Sequence, residues 1–548
     1  MKYGFIRVAA ATPKVTIANP GENAKEIINI IKLAKKHNIE LLVFPELCLT
    51  GYSCGELFLS EVILHSVSKA LDIILKSSID NNILIFLGTP IYINDKLYSC
   101  AVALQDGHIL GVVPKTFIPS YSEFYETRYF TSGKDIHEFI TLCQQKIYFG
   151  TNILFNATTN NNIKIAAEIC EDMFVINPPS NEHAKAGASI IVNLSASNEL
   201  IGKTDYRRIL IMAQSGRLIC GYIYTSAGSS EAVNDMVFSG HKIIAENGSI
   251  LNESYPFNSG LLICELDIDK LAYERRRINV FKCNPSKYHI VQFKFNTNNI
   301  VIKNPISPFP FIIPQSAESI LQIQAKALAE KLHSTKLKAV IGISGGLDSC
   351  LALLVILRSY KILRRKKRDI IAITMPGPGT KNKTRQNVIK LANATGIQIR
   401  TINICKSVFY HLRSIGHSQK YLNNVYENAQ SRERTQILMD VANAKDGIVI
   451  GTGNLSENAL GWCTYNGDHM SMYSVNASIP RTVIRYLVDY ESNRIKAYKN
   501  ALVAILNTKS SPELLPTNQS TENIIGEYEL HDFFLYHMIR FGQAPNKT

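Results

Sequence analysis

In the first half of this chain three reactive side chains each follow an apolar run. Glu46 comes after Leu41-Leu42-Val43-Phe44-Pro45, and Lys115 comes after Gly111-Val112-Val113-Pro114. Cys170 comes after Ile163-Lys164-Ile165-Ala166-Ala167-Glu168-Ile169, with Glu171-Asp172 beyond it. A carboxylate at the carboxyl end of a buried strand is well placed to act as a base, because loops at that edge form clefts. Taken singly these are weak signals: a lone cysteine is usually a small buried hydrophobe, and a lone Glu or Lys is usually at the surface. The second half holds a denser signal, Ser344-Gly345-Gly346-Leu347-Asp348-Ser349, between two apolar runs, 339–343 and 350–357. A buried strand, a tight glycine turn and a helix start is the natural reading. Its glycines let backbone N–H groups approach an anion, and the helix N-terminus adds partial positive charge there. No Gly-Lys-Ser/Thr follows, so this is not the usual P-loop of nucleotide triphosphatases.

The elements expected to position these residues come from periodicity. Strands are expected at 4–10, 41–44, 83–88, 219–226, 237–245 and 261–268, and at the runs that end before Lys115 and Cys170. An amphipathic helix is expected over 24–36, with Ile27, Ile30, Ile31 and Ala34 on one face. Asn247-Gly248 between apolar runs reads as a hairpin turn. Residues 279–315 lack steady periodicity and end in Pro305, Pro308, Pro310 and Pro314, the composition of a linker. Beyond it, helices at 319–332, 385–394 and up to Ala444 alternate with strands at 370–373, 397–404 and 447–450. That alternation implies a parallel doubly wound sheet with ligands outside the strand carboxyl ends. Met375-Pro376-Gly377-Pro378-Gly379-Thr380 lies at such an end, as a candidate flap.

Composition sets the outer limits. At 548 residues the chain exceeds one core, so two domains and a linker are expected, at 1–278, 316–548 and 279–315 respectively. Hydrophobic content of 46% and charged content of 19% are those of a globular protein. No apolar run has the length of a membrane span, and the N-terminus lacks the features of a signal peptide. Eleven cysteines without C-x-x-C pairs suggest neither a disulfide framework nor a zinc site, so a reduced, cytoplasmic protein is expected. A net charge of +14 favours phosphate-bearing partners. The basic cluster Arg364-Arg365-Lys366-Lys367-Arg368 reads as a solvated connecting loop, and no nucleic-acid-binding signature accompanies it.

Glu…Lys…Cys at successive strand ends, in FPELCLTGYSCGELF, VVPKTFIPSYSEFYETRYF and AAEICEDMF followed by GASIIVNLSASNELIGK, resembles the nitrilase/amidase superfamily. That resemblance implies an α-β-β-α sandwich that hydrolyses amides. Cys170 would attack, Glu46 would take its proton, and Lys115 would stabilise the oxyanion with the backbone N–H after Cys170. Glu126, or else Glu123, would be the second acid that orients the lysine. In the glutaminases of this superfamily, Tyr121, Phe174, Ser197 and Lys203 match positions that contact glutamine.

The Ser344 loop resembles the PP-loop of ATP pyrophosphatases, which cleave ATP to AMP and pyrophosphate. Glu427-Asn428-Ala429-Gln430-Ser431-Arg432-Glu433-Arg434, the run 451–468 and Tyr528-Glu529-Leu530-His531-Asp532-Phe533-Phe534-Leu535-Tyr536 resemble the glutamine-dependent NAD⁺ synthetase family, a likeness that spans nearly the whole chain. It implies a Rossmann-like second domain fused to the glutaminase. Gly342, Ile343, Ser344, Gly345, Gly346, Leu347, Asp348, Ser349 and Thr452 would contact ATP. Asn428, Glu457, Trp462, Cys463, Thr464 and Tyr465 would contact deamido-NAD⁺. Asp348 would ligate Mg²⁺, and Glu457 either Mg²⁺ or the dinucleotide. Trp462 reads as a core residue or as a stacking platform. Pro378 departs from the aromatic residue usual in relatives.

The implied partners are glutamine, ATP and deamido-NAD⁺ in a homo-oligomer, with neither nucleic acid nor membrane. Ammonia is mostly protonated at neutral pH, so a sheltered tunnel between the two sites is also implied. The chain ends at Thr548, soon after the helix-like stretch 531–541, whereas long relatives continue with a Lys/Arg-bearing segment that reaches the dinucleotide. The resemblance therefore implies weaker binding of deamido-NAD⁺, or a site completed by a neighbouring subunit.

Overall fold

The computed structural model describes residues 3–232, 236–295, 301–509, 511, 513–515 and 520–548. The chain divides into two compact units, Met1–Pro305 with Phe541–Lys547, and Ile306–Arg540 with Thr548.

The first unit runs β1 (Phe5–Thr12), α1 (Pro20–Lys36), β2 (Leu41–Val43), α2 (Glu61–Ser77), β3 (Leu84–Ile93), β4 (Lys96–Gln105), β5 (His108–Pro114), β6 (His137–Leu142), β7 (Gln145–Gly150), β8 (Ile153–Ala157) and β9 (Lys164–Ile169). It continues with α3 (Pro179–Ala186), β10 (Ile190–Ser195), α4 (Lys203–Leu218), β11 (Gly221–Ser226), β12 (Lys242–Glu246), β13 (Ser249–Glu253), β14 (Gly260–Asp267), α5 (Ile268–Arg277) and β15 (His289–Phe293). Among the described residues these strands form two sheets, ordered β14-β1-β2-β3-β4-β5-β7-β6 and β13-β12-β11-β10-β9-β8-β15.

Period-2 alternation builds the layers. Ile6, Val8, Ala10, Leu41, Val43, Leu84 and Phe86 share one core with Ile165, Ala167, Ile190, Val192 and Leu194 of the other sheet. The intervening Ala9, Ala11, Leu42, Ile85 and Leu87 pack instead on α1 and α2, while Ile191 packs against α3 and α4. Strands buried on both faces read as continuous apolar runs, and the result is an α-β-β-α sandwich.

Several elements differ from the periodicity. α1 starts at Pro20, four residues early, because Asn19 caps it by accepting from the Glu22 N–H at 3.2 Å and proline suits the first turn. β3 continues to Ile93 and turns at Asn94-Asp95, both left-handed, into β4. The 237–245 strand shrinks to Lys242–Glu246, and the hairpin at Asn247-Gly248 forms as expected. The run Glu274–Arg277 completes helix α5. Within 279–315, β15 pairs in parallel with β8, so this stretch contributes an edge strand; its residues 296–300 lie outside the described residues.

The second unit runs α6 (Ala317–Thr335), β16 (Lys338–Gly342), α7 (Leu347–Ile362), β17 (Ile371–Thr374), α8 (Asn382–Thr395), β18 (Ile399–Thr401), α9 (Cys405–Ser414), α10 (Asn424–Ala444), β19 (Gly447–Gly451), α11 (Leu455–Leu460), β20 (Tyr473–Ser474) and α12 (Arg481–Arg494). Its strands are parallel, in the order β18-β17-β16-β19-β20. Ala339 and Ile341 face α6, α7 and α12, whereas Val340 faces α9 and α10, so helices cover both faces. Strand order reverses between β16 and β19, which opens a crevice at their carboxyl ends. The expected strand over 397–404 is only Ile399–Thr401. The basic cluster is a connecting turn in which Arg365 donates to the Leu337 and Leu332 carbonyls. No helix among the described residues is long and apolar enough to cross a membrane.

Candidate active sites

In the first unit the ends of β2, β5 and β9 converge. Gly88 in β3 is essential to the approach, since a Cβ there would lie 2.1 Å from the Pro45 carbonyl and 2.7 Å from the Glu46 Cα. Lys115 is 1% exposed and its Nζ donates to Glu46 Oε1 at 2.9 Å and to Glu126 Oε1 and Oε2 at 2.9 and 2.7 Å. Glu126, not Glu123, is thus the second acid at the lysine; Glu123 accepts from Asn198 Nδ2. Two groups that sequence reasoning passed over complete the cluster: Ser99 Oγ donates to Glu46 Oε1 at 2.9 Å, and Tyr52 OH donates to Glu126 Oε1 at 2.7 Å. Glu46 Oε2 is buried and has no hydrogen-bond partner among the described residues. A small cleft has Tyr52 and Glu126 in its wall.

Burial by itself would lower the Lys115 ammonium, but Glu126 and Glu46 outweigh it and hold the group above its ordinary value. Burial pushes Glu126 up to about 7, with Lys115 pulling it back down. Burial and then the Glu46 carboxylate raise the Cys170 thiol well above its ordinary range, against the pull of Lys115. Cys170 therefore rests as a thiol, near a Glu46 carboxylate whose Oε2 has no hydrogen-bond partner among the described residues.

Cys170 stands on the turn after β9 with φ 44°, a left-handed backbone that costs a non-glycine residue about 1–3 kcal/mol and persists only where neighbours enforce it. Asp172 enforces it: its carboxylate accepts the Ile169 N–H at 3.0 Å, the Phe117 N–H at 2.8 Å and the Thr116 N–H at 3.2 Å. The same side chain therefore ties the nucleophile's turn to the lysine's strand end. Around this centre Tyr121 OH donates to Glu171 Oε2 at 2.9 Å, and Lys203 Nζ lies 5.0 Å from the centre of the Phe174 ring. Ser197 Oγ accepts from Arg207.

In the second unit the Ser344 loop leaves β16 and enters α7. Gly345 has φ +87°, and a Cβ there would meet the Thr384 carbonyl at 2.5 Å. Ser344 Oγ and Ser349 Oγ lie 3.0 Å apart, and the Gly346 N–H donates to Ser344 Oγ at 3.2 Å, which folds the loop on itself. From the β19 side, Asn454 Nδ2 donates to Asp348 Oδ1 at 2.9 Å while its Oδ1 caps α11 through the Glu457 N–H at 2.8 Å. Arg481 forms an ion pair with Asp348 Oδ2. Burial, then the Asp348 charge, raises Glu457 to about 8, with Arg481 opposing.

Thr452 reaches this crevice through its carbonyl, which accepts from Asn476 Nδ2 at 3.2 Å. Asn428 meets Thr464, whose hydroxyl donates to Asn428 Oδ1 at 2.9 Å. Trp462 is half-buried, and Cys463 and Tyr465 are exposed. The 375–380 stretch is tied down, with Arg434 Nε donating to the Met375 carbonyl at 3.1 Å and Gly377 N–H to Thr380 Oγ1 at 2.9 Å.

Against known proteins, the profile of the carbon-nitrogen hydrolase family matches residues 7–276, and that of NAD synthase matches residues 320–547. A glutamine-dependent NAD(+) synthetase of Mycobacterium bovis is 36% identical over 576 aligned positions, covering 100% of this chain and 85% of that protein. The chain belongs to the glutamine-dependent NAD(+) synthetase family. Another relative of that name, from Thermotoga maritima, is 26% identical, with 99% of this chain and 90% of that protein covered. Among solved structures, glutamine-dependent NAD⁺ synthetase from Acinetobacter baumannii, in complex with ADP, is 21% identical with a TM-score of 0.42, over 97% of this chain and 88% of that one. As a member of this family the protein is a ligase that forms carbon–nitrogen bonds, with a nitrilase-type unit followed by an NAD synthase unit.

Proposed function

We propose that the first unit releases ammonia from glutamine on Cys170 and that the second uses it to convert deamido-NAD⁺ to NAD⁺ at the expense of ATP. The observation that carries this reading is the buried Glu46–Lys115–Glu126 cluster beside Cys170, in a chain whose other half carries the Ser344 loop at a sheet switch point.

Cys170 attacks the amide carbon of glutamine while Glu46 Oε2 takes the thiol proton. Lys115, with the N–H after Cys170, stabilises the oxyanion, and Glu46 returns the proton to the departing ammonia. Water then releases glutamate from the thioester. Tyr121, Phe174, Ser197 and Lys203 hold the amino-acid end. In the second unit the 342–349 loop and Thr452 hold ATP, and Asn428, Glu457, Trp462, Cys463, Thr464 and Tyr465 hold deamido-NAD⁺. The nicotinate carboxylate attacks the α-phosphorus and pyrophosphate leaves toward the N–H groups of the loop. Ammonia attacks the acyl adenylate and AMP departs.

Two mutually repelling carboxylates, Asp348 and Glu457, support a Mg²⁺ there that phosphate oxygens would complete. Asp348 and Glu457 would hold it, and it would supply positive charge against the phosphates. The glutaminase is assigned to 1–278 and the synthetase to 316–548, with β15 of the intervening stretch 279–315 adding an edge strand to the first unit's sheet. The exposed apolar Leu200, Ile201, Tyr206 and Ile209, on α4 and the loop before it, support a homo-oligomer, and the eleven free cysteines among the described residues support a reduced, cytoplasmic setting.

The test is pyrophosphate release, with glutamine or ammonium as nitrogen donor, in the presence of deamido-NAD⁺ or xanthosine monophosphate. Release with deamido-NAD⁺ alone is expected. Release with xanthosine monophosphate, or glutamine turnover without ATP consumption, would reject the reading.

A further inference from the structure

Arg207 lies in the first turns of α4 and is fully buried, 0% exposed. A guanidinium has five N–H groups, and here all five are matched. Nε donates to His241 Nδ1 at 3.1 Å. Nη1 donates to Ser197 Oγ at 3.3 Å and to the Asn198 carbonyl at 3.1 Å. Nη2 donates to Thr204 Oγ1 at 3.3 Å and to Glu199 Oε2. The partners close among themselves as well. Thr204 Oγ1 donates to Glu199 Oε1 at 2.8 Å, and His241, which accepts on Nδ1, donates from Nε2 to Glu253 Oε1 at 2.8 Å.

The clamp therefore spans the loop after β10 and the first turn of α4, the two places that carry Ser197 and Lys203. Because Ser197 Oγ accepts from Arg207, its own O–H remains a donor for a substrate. Lys203, four residues before Arg207 on the same helix face, is held over the rings of Phe174 and Tyr206, at 5.0 and 5.8 Å. A hydroxyl donor and an ammonium fixed to one frame suit an α-carboxylate. Burying a guanidinium is costly, and an apolar side chain of that volume would serve packing alone at least as well.

We propose that Arg207 is a positioning residue for substrate selection. By locking Ser197 and the Lys203 turn together, it makes this centre choose an α-amino-acid amide over a simple amide. It acts only through those two residues and touches no reacting atom, so the inference rests on their assignment to glutamine.

The test compares two thiol reagents on the full-length chain, with modification of Cys170 read by mass spectrometry. 6-Diazo-5-oxo-L-norleucine carries the amino-acid end of glutamine; iodoacetamide lacks it. In Arg207→Lys the diazoketone reaction is expected to slow about tenfold, as for one lost charge-assisted hydrogen bond, while iodoacetamide reacts at the wild-type rate. The KM for glutamine should rise by the same factor with ammonium-driven synthesis unchanged. Equal slowing of both reagents would show a merely structural residue, and an unshifted ratio would also overturn the proposal. If Arg207→Lys does not fold, Glu199→Gln loosens the same clamp with the guanidinium left in place, and the same ratio decides. A wild-type Cys170 that takes iodoacetamide but not the diazoketone would instead reject the glutamine assignment itself.

Discussion

The two reactive regions solve the burial of charge in different ways. In the first unit Lys115 lies between two carboxylates, with Ser99 and Tyr52 filling in, and Glu46 Oε2 has no hydrogen-bond partner among the described residues. Its machinery is assembled from the protein's own groups. In the second unit the Ser344 loop folds around its own hydroxyls, and Asp348 is ion-paired with Arg481 and accepts a hydrogen bond from Asn454. What this region has on its own is a turn shape, held by Gly345 and the two serine hydroxyls. A site that makes a nucleophile must be complete before substrate binds, whereas a polyphosphate site can be completed by its ligand.

The strongest way to break this contrast is at the nucleophile. Cys170→Ala should lower glutamine-driven NAD⁺ formation by roughly 10⁴-fold or more and leave ammonium-driven formation near wild type, as read by NAD⁺ produced from either donor. Equal loss with both donors would mean the two regions are not separate machines.

The converse variant acts on shape alone. Gly345→Ala puts a methyl group 2.5 Å from the Thr384 carbonyl at a φ of +87°, so the loop must move. Pyrophosphate release should fall about 10²–10³-fold, the scale of a lost preorganised donor, with glutaminase turnover retained. Full pyrophosphate release in this variant would show that the cradle does not depend on its turn.

The smallest effect sharpens the account of the first unit. Glu231 is fully buried, takes the Tyr52 N–H at 2.7 Å on Oε2, leaves Oε1 without a partner among the described residues, and is raised by burial to about 7. A carboxyl whose folded pKa exceeds its unfolded value keeps its proton in the native state after the unfolded chain has lost it. Its contribution to stability is thus full below about 4.5 and is lost as pH rises toward 7. Glu231→Gln should flatten that part of the decline, measured as urea midpoints between pH 5 and 8. An unchanged slope would show that Glu231 is ionised throughout.

Much of this was legible in the chain itself. Apolar runs buried on both sheet faces announced β1, β2, β9, β16 and β19, and Glu46, Lys115, Cys170 and Ser344 each stand where such a run stops. What misled were elements whose periodicity is hidden or absent. β15 lies in a stretch that reads as a linker, because an edge strand of five residues needs only Phe293 inside.

The sequence by itself determined the second unit's alternating layers, most strand positions and the reactive residue types, since those follow from local hydrophobic pattern and backbone chemistry. Only the tertiary structure decided between Glu126 and Glu123, and brought Ser99, Tyr52, Asp172, Arg207 and Arg481 to their partners. Those pairings join residues as many as 133 positions apart, and no local pattern encodes a contact whose geometry is set by the packing of two sheets or by a reversal of strand order.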